Sequence, residues 1–104
     1  MEDIIKKLEI VLQQRKQMNP EDSYVSSLYE KGEEHICNKI IEEANELIAS
    51  TKDDKKQIIH ESADLLFHVL VLLALHDINY ARIIKELESR FGTSGIVEKN
   101  NRNK

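Results

Sequence analysis

The chain has 104 residues, of which 40% are hydrophobic and 33% are charged, and this balance predicts one soluble globular domain rather than a disordered chain. Three glycines and one proline disfavour a turn-rich β-sandwich, and the low aromatic content, with no tryptophan, weakens the case for a module that stacks nucleic-acid bases. A single cysteine, Cys37, excludes an internal disulfide. The acidic start of the chain lacks the basic region of a secretory signal, so we expect a cytoplasmic protein.

The net charge of −4 is unevenly distributed. Residues 90–104 carry a net charge of +3, which leaves −7 on the remaining body. An acidic body repels phosphate-rich partners unless cations intervene, so a nucleic-acid partner is not expected. The apolar stretch from Leu65 to Leu75 is too short to span a bilayer, and no membrane partner is expected either. Because a chain of this size makes a modest core by itself, we expect an oligomer.

The first half of the chain shows helical periodicity. Apolar residues recur at helical spacing and predict a first helix from Ile4 to about Met18. The turn that follows contains Asp22 and Ser23, either of which can N-cap a short second helix. Gly32 marks the end of that helix.

Two longer helices are predicted next. The third extends from about Glu33 to Ala49 and has one broad apolar stripe. Asp54 and Gln57 resemble a capping box and open a fourth helix, which reaches about His76. Its central part is apolar on all sides, so we expect this helix to be buried all round. The stripe of the third helix comprises positions 36, 37, 40, 41, 44, 47 and 48.

The last helix is predicted from a cap at Asn79 through Arg90, with Gly92 ending it. Residues 93–104 are expected to form a loop and a basic tail. No β-alternation, internal repeat or linker is present, so the sequence predicts a single all-α domain over residues 1–104. Its architecture is an antiparallel helical bundle of about five helices.

Two carboxylate pairs indicate where chemistry could occur. Glu43 and Glu46 lie three residues apart on the third helix, and Glu42 is four residues from Glu46, so these spacings place carboxylates on one helix face. Glu61 and Asp64 repeat the three-residue spacing on the fourth helix. The intervening residues allow a turn and a return, so the pairs can face each other. Converging carboxylates repel unless a hard cation such as Mg²⁺ neutralises them, and Mg²⁺ brings polyphosphate substrates.

Other interpretations of these acids remain open. Glutamate pairs at this spacing are common on solvated helices. The fourth helix favours a cation site, because its acids begin a stripe that becomes apolar two turns later. A salt bridge from these acids to Lys39 or Arg15 is the alternative there. No histidine is preceded by Glu at the spacing of a di-iron bundle, and His35 and Cys37 diverge on a helix, which disfavours zinc. His68 is more often a buried histidine than a ligand, although Asp64 could orient it.

The basic tail also has two interpretations. Arg90, Lys99 and Arg102 could close over phosphates, with Thr93 and Ser94 supplying hydrogen-bond donors. A frayed, solvated terminus is the alternative, and the sequence does not decide between them.

The acidic helices resemble the all-α NTP pyrophosphatase superfamily, whose signature is an ExxE pair and an ExxD pair on adjacent helices. Further segments resemble the phosphoribosyl-ATP pyrophosphatase family, which catalyses the second step of histidine biosynthesis. The resemblance covers about Leu8 to Lys99. The segments that carry it are KIIEEANE at 39–46, ESADL at 61–65, Ser23-Tyr24, Leu28, Lys31-Gly32, His68, RFGTSG at 90–95 and Glu98-Lys99.

The resemblance implies hydrolysis of phosphoribosyl-ATP to phosphoribosyl-AMP and pyrophosphate, with Mg²⁺ as cofactor, in a homodimer. It implies that a water oriented by the metal or by a carboxylate attacks the α-phosphorus. Glu42 is a further ligand or the group that orients this water. The implied metal ligands are Glu43, Glu46, Glu61 and Asp64, and the implied phosphate contacts are Lys39, Arg90, Lys99 and Lys31.

Small departures and two alternatives accompany the resemblance. Ile41 stands where the family often has glycine, and Leu66-Phe67 replaces the more usual Trp-Tyr. The cyclohydrolase domain to which this domain is often fused is not expected in this chain. One alternative is a house-cleaning nucleotide pyrophosphatase acting on another NTP or dNTP. The other is a non-catalytic helical dimerisation module with solvated acids.

Overall fold

The computed structural model describes residues 3–91, and within them the chain forms five helices and no strands. The all-α prediction is therefore confirmed for this part of the chain. Gly92 and the loop and tail predicted over 93–104 lie outside the described residues. The helices are α1 (Ile4–Arg15), α2 (Tyr24–Lys31), α3 (Glu33–Ser50), α4 (Lys55–Leu75) and α5 (Tyr80–Phe91).

Local side-chain caps explain where several helices begin. Asp3 accepts a hydrogen bond from the backbone N–H of Lys6, and Ser23 accepts one from the backbone N–H of Ser26. Ser23, rather than Asp22, is therefore the N-cap of α2. Each cap satisfies one backbone donor that the first helical turn leaves unpaired.

Two helix boundaries depend on special backbone geometry. Gly32 separates α2 from α3 with φ of 99° and ψ of 174°, a conformation that is essentially restricted to glycine. The first helix was expected to reach about Met18, but α1 ends at Arg15. Residues 16–18 instead form i→i−3 backbone hydrogen bonds, which tighten the chain after the last α-helical turn.

The N-terminus of α5 is held by α1. Asn79 accepts a hydrogen bond from the backbone N–H of Ala81, as its predicted capping role requires. The backbone N–H of Tyr80 donates to the Glu9 carboxylate of α1 at 2.5 Å. This long-range contact satisfies a second helix-end donor and joins α5 to α1.

Helices α3 and α4 form an antiparallel hairpin, the most extensive helix pair in the described chain. His76, which caps the end of α4, contacts the Glu33 carboxylate at the start of α3, so the two helices lie in opposite directions. The core is formed where α1, α2, α3 and α4 meet. Its buried hydrophobic residues are Leu12, Val25, Leu28, Ile36, Leu70, Val71 and Ala74.

The expectation that α4 is buried all round is wrong for the single chain. Leu70, Val71 and Ala74 are buried, but Leu66 is 37% exposed and Ile59 is 68% exposed. On α3, Ile36 is buried while Ile41 and Ile48 remain exposed. The neighbouring helices cover only one side of this hairpin, because the described chain supplies too few elements to enclose it. By length and composition alone α4 could cross a membrane, a test that core helices also pass.

Candidate metal centre

Three carboxylates from the two helices of the hairpin converge on one face. One carboxylate oxygen each from Glu43 and Glu46 of α3 and from Glu61 of α4 lies within 4.8 Å of the other two. The convergence follows from sequence, because the three-residue spacing on α3 faces α4 across an antiparallel hairpin. Glu61 is 9% exposed, Glu43 is half-buried and Glu46 is exposed, so the cluster lies at the edge of the core.

Two oxygens in this cluster are buried without a hydrogen-bond partner. They are Oε2 of Glu43 and Oε2 of Glu61. A buried carboxylate oxygen without a donor has lost its hydration and has received nothing in exchange. A divalent cation with a preference for oxygen ligands fits this donor set, because it would supply positive charge to both oxygens at once.

Glu61 is held in place by the residue one turn earlier. The side-chain Nε2 of Gln57 donates a hydrogen bond to Glu61 Oε1 at 2.8 Å. The predicted capping box is therefore only half formed. Asp54 accepts from the backbone N–H of Gln57 at 3.0 Å, but the Gln57 amide points to Glu61 instead of returning to the cap. The result leaves the second oxygen of Glu61 free to receive a cation.

Asp64 lies on α4 beside Glu61, one turn after His60. Its carboxylate lies 3.4 Å from His60 Nε2 on the same helix, and these two groups form a second cluster with Glu61. Asp64 also orients His68, as the sequence indicates. It does so through its backbone, since His68 Nδ1 lies 3.0 Å from the Asp64 carbonyl oxygen.

His68 is buried behind the cluster and is fully hydrogen-bonded. Its Nδ1 donates to the backbone carbonyl of Asp64, because a carbonyl oxygen can only accept, and its Nε2 is hydrogen-bonded to the Tyr24 hydroxyl at 3.0 Å. The ring Nδ1 lies 4.0 Å from Glu43 Oε1, so the His68 ring packs beneath the Glu43 carboxylate.

Lys39 lies on α3 beside the carboxylates. Its ammonium group donates to Glu42 Oε2 at 3.4 Å, and this hydrogen bond together with the negative charge of Glu42 raises the pKa of Lys39 above its ordinary value. Lys39 therefore pairs with the exposed Glu42 on α3, and Arg15 contacts the sulfur of Met18. In the described part of the chain, neither cation forms the alternative salt bridge to the acids of α4. Glu43 and Glu61 remain without a cationic side chain on their buried oxygens.

The other predicted phosphate contacts do not belong to either carboxylate cluster. Lys31 is exposed at the end of α2, and Arg90 pairs with Glu86 one turn earlier on α5 at 3.1 Å. Lys99 lies outside the described residues. A cavity of about 640 Å³ is located between α1 and α5 and is lined in part by Glu9, Tyr80 and Ile84. None of the clustered acids lines it.

Sequence reasoning missed three residues with clear positions at this centre. They are Gln57, His60 and Tyr24. Gln57 and His60 each lie four residues before an acid of the ExxD pair, and this spacing could have indicated the contact. Tyr24 had no such signal, because its contact with His68 crosses from α2 to α4.

Comparison with known proteins identifies the family of the chain. Residues 5–91 match the phosphoribosyl-ATP pyrophosphohydrolase family. The chain belongs to this family. The match extends from the first turn of α1 to the end of α5, so it includes both helices of the acidic hairpin.

Curated relatives of the phosphoribosyl-ATP pyrophosphohydrolase family align over almost their whole length. A protein of Vesicomyosocius okutanii named phosphoribosyl-ATP pyrophosphatase is 52% identical, with 99% of each chain covered. Proteins of the same name from Geobacter sulfurreducens and Neisseria meningitidis serogroup B are 48% and 40% identical. The alignments cover 98% of this chain and 95% of the first, and 94% of this chain and 92% of the second.

The structure accommodates both positions at which this chain differs from the usual residues of the phosphoribosyl-ATP pyrophosphohydrolase family. Ile41 is 59% exposed, so its larger side chain does not crowd the core of the single chain. Phe67 contacts the His68 ring edge to face, with the ring centroids 5.2 Å apart. The apolar substitution before the histidine therefore still provides an aromatic contact to it.

Proposed function

We propose that this protein hydrolyses phosphoribosyl-ATP to phosphoribosyl-AMP and pyrophosphate, the second step of histidine biosynthesis. The observation that carries the proposal is the pair of buried, unpartnered oxygens of Glu43 and Glu61 in a chain of this family. Such oxygens favour a cation, and a cation-bearing face suits a triphosphate substrate. The names of the curated relatives support the same substrate.

We assign Mg²⁺ as the cofactor, with Glu43, Glu46, Glu61 and Asp64 as its ligands. When bound, Mg²⁺ neutralises the triphosphate charge and stabilises the leaving pyrophosphate. The geometry supports the first three ligands most directly, because their oxygens already converge. Asp64 reaches the centre through its neighbour Glu61, with which it shares the second cluster.

The remaining side chains would orient the reacting groups. Water attacks the α-phosphorus, the bond from that phosphorus to the bridging oxygen breaks, and pyrophosphate leaves with the electron pair. Glu42 is our candidate for orienting the water, because its carboxylate is exposed beside the cluster and accepts a hydrogen bond from Lys39. The proton of the water passes to a carboxylate acceptor or to solvent.

Basic residues would hold the phosphates of the substrate. Lys39 is the best supported of them, because the negative charges of Glu42 and Glu43 both act on its ammonium group. Lys31, Arg90 and Lys99 are proposed in the same role. An acidic cluster alone would repel a triphosphate. Binding therefore requires both cationic side chains of the protein and the metal ion.

We propose that the protein acts in the cytoplasm as a homodimer, without nucleic-acid or membrane partners. Exposed apolar side chains support the dimer. On the hairpin, Ile41 is 59% exposed and Ile48 is 67% exposed, and α5 exposes Phe91 at 87%. A second copy packed against the hairpin would bury such residues and gain the corresponding hydrophobic free energy.

Hydrolysis in ¹⁸O-labelled water with Mg²⁺ tests this reaction. We expect one ¹⁸O atom in phosphoribosyl-AMP and none in pyrophosphate, because the attack is at the α-phosphorus. Glu43→Gln should abolish turnover while the protein remains folded by circular dichroism. Glu34→Gln is the matched control on α3, outside both carboxylate clusters, and should retain activity. Label in pyrophosphate, or full activity of Glu43→Gln, would refute the mechanism.

A further inference from the structure

The last helix is exposed along almost its whole length. No residue of α5 is buried within the described chain, and every residue from Ala81 to Phe91 is exposed. The apolar side chains of α5 nevertheless form one stripe, because their spacing matches the helical repeat. They are Ile83, Ile84, Leu87 and Phe91. Since isolated helices of about 12 residues are only marginally stable in water, α5 requires further contacts.

A cavity with an acidic lining lies beside this stripe. It occupies about 640 Å³ between α1 and α5, within the range of about 300–1,000 Å³ that is typical of ligand pockets. Ile5, Tyr80 and Ile84 form apolar parts of its wall. Three carboxylates and one ammonium group also line it, so its net charge is −2. These charged residues are Asp3, Glu9, Glu88 and Lys6.

We propose that the C-terminal segment, residues 92–104, docks into this cavity. The segment carries three basic side chains and one acidic side chain, and its net charge of +2 complements the −2 of the cavity. Ile96 and Val97 are its apolar side chains and would pack against the apolar wall. The inference goes beyond the proposed function and does not rest on it.

The C-terminal segment begins where this contact requires it to begin. It follows Phe91 directly, and Ile84 lies about 10 Å before Phe91 along the helix axis. Ile96 is five residues after Phe91, so an extended chain carries it up to about 17 Å. The excess length allows the chain to reverse its direction, and Gly92 and Gly95 tolerate the backbone angles of a reversal.

Charge and covalent attachment favour the chain's own segment over the body of a second copy. Residues 1–89 carry a net charge of −7, and an acidic cavity repels such a body. The segment is tethered beside the cavity, and a short tether gives a binding group an effective concentration in the millimolar range. Docking within one chain therefore needs little intrinsic affinity.

Docking would keep Lys99 away from the carboxylates of the hairpin. Asn79 and Tyr80 line the cavity and directly follow the end of α4 that carries His76. Glu61 lies roughly 22 Å from His76 along α4, by the helical rise per residue. The docked position of Lys99 and its proposed phosphate contact therefore exclude each other.

Hydrogen–deuterium exchange of the full-length protein tests the docking, because contacts to the stripe slow the opening of α5. We expect Val97→Asp to accelerate exchange of the α5 amides at least about fivefold, since it places a charge where an apolar side chain would be buried. Asn103→Asp is the matched control, which changes the charge equally and should accelerate exchange no more than about twofold. Exchange near Leu70 in the core should stay unchanged in both variants. Equal α5 exchange in Val97→Asp and the unmodified protein would overturn the inference.

Charge reversal in the cavity provides the second measurement. A lysine near the C-terminus of a helix is favourable by itself, so Glu88→Lys without docking should slow α5 exchange or leave it unchanged. With docking, Glu88→Lys should accelerate that exchange about two- to fivefold at low salt. The acceleration should disappear at about 1 M salt, where the Debye length is about 3 Å. Slower exchange in Glu88→Lys at low salt would contradict docking.

Dilution separates the chain's own segment from a second copy. Docking within one chain predicts that the protection of α5 is the same across a hundredfold range of protein concentration. Protection that rises with concentration would assign the cavity to a second copy and overturn the inference.

Discussion

Replacing Glu61 with glutamine should stabilise the metal-free protein and at the same time remove its response to Mg²⁺. The Glu61 oxygen lies within 4.8 Å of an oxygen of Glu43. Two ionised carboxylates at that distance repel by about 0.9 kcal/mol in water and by about 3.5 kcal/mol at an effective dielectric constant of about 20. Because Glu61 is 9% exposed, the effect should lie above the lower of these values.

The substitution conserves the local contacts that could otherwise complicate the result. The amide oxygen of the new side chain can still accept the hydrogen bond from Gln57, and its amide nitrogen adds a donor toward Glu43. A gain of 1 kcal/mol raises the melting temperature of a domain of this size by about 4–8 °C. We therefore expect Glu61→Gln to melt at least about 4 °C above the unmodified protein in EDTA.

Differential scanning calorimetry with EDTA and with Mg²⁺ measures both effects. A cation present at about 100 times its dissociation constant stabilises the unmodified protein by about 2.7 kcal/mol, and Glu61→Gln should lose most of that increment. Glu34→Gln on the exposed face of α3 is the control and should change stability by no more than about 0.5 kcal/mol. A Glu61→Gln protein that is destabilised in EDTA and still stabilised by Mg²⁺ would refute the reasoning.

Three further substitutions test parts of the fold. Tyr24→Phe leaves Nε2 of the buried His68 without its hydrogen-bond partner, and urea unfolding should show a loss of about 1–3 kcal/mol. Gly32→Ala should cost about 1–3 kcal/mol by the same assay, because φ of 99° strains a side chain although a Cβ there meets no atom within 4 Å. Lys16 lowers the pKa of Asp77, so Asp77 stabilises the fold above its unfolded pKa and loses this effect as pH falls through its folded pKa. Thermal melts of the protein and of Asp77→Asn should differ near neutral pH and converge in acid.

Each of these tests has an outcome that contradicts it. Unchanged urea midpoints for Tyr24→Phe would mean that water replaces the hydroxyl at His68. A neutral Gly32→Ala would mean that the junction between α2 and α3 can relax to an ordinary conformation. Melting curves of Asp77→Asn that differ equally at acidic and neutral pH would exclude the Lys16 ion pair as the cause, since asparagine also tolerates the positive φ of this position.

Helix boundaries were predictable where short-range chemistry sets them. Ser23, Asp54 and Asn79 all accept the backbone hydrogen bonds that their sequence context indicates. The fate of the Gln57 side chain was not predictable from its spacing to Asp54. Both the cap and Glu61 lie within its reach, and the structure places the amide against Glu61.

The burial of an apolar helix depends on how many other helices pack against it, which the periodicity of its own sequence does not show. The sequence correctly indicated an apolar α4 but predicted complete burial, whereas Leu66 is 37% exposed in the single chain. For the candidate site, spacing predicted that Glu43 and Glu46 would face Glu61, and the structure brings them together. The four-residue spacing of His60 and Asp64 allows their contact, but it does not exclude that the Asp64 carboxylate turns toward α3 instead.

Release of pyrophosphate from phosphoribosyl-ATP, measured beside a panel of NTPs and dNTPs with Mg²⁺ and with EDTA, decides whether this protein is the histidine-pathway hydrolase. We predict Mg²⁺-dependent turnover of phosphoribosyl-ATP alone. Preferential turnover of a dNTP would retain the carboxylate centre and contradict the histidine-pathway assignment. No turnover of any substrate by the folded protein would contradict catalysis and favour a helical dimerisation module.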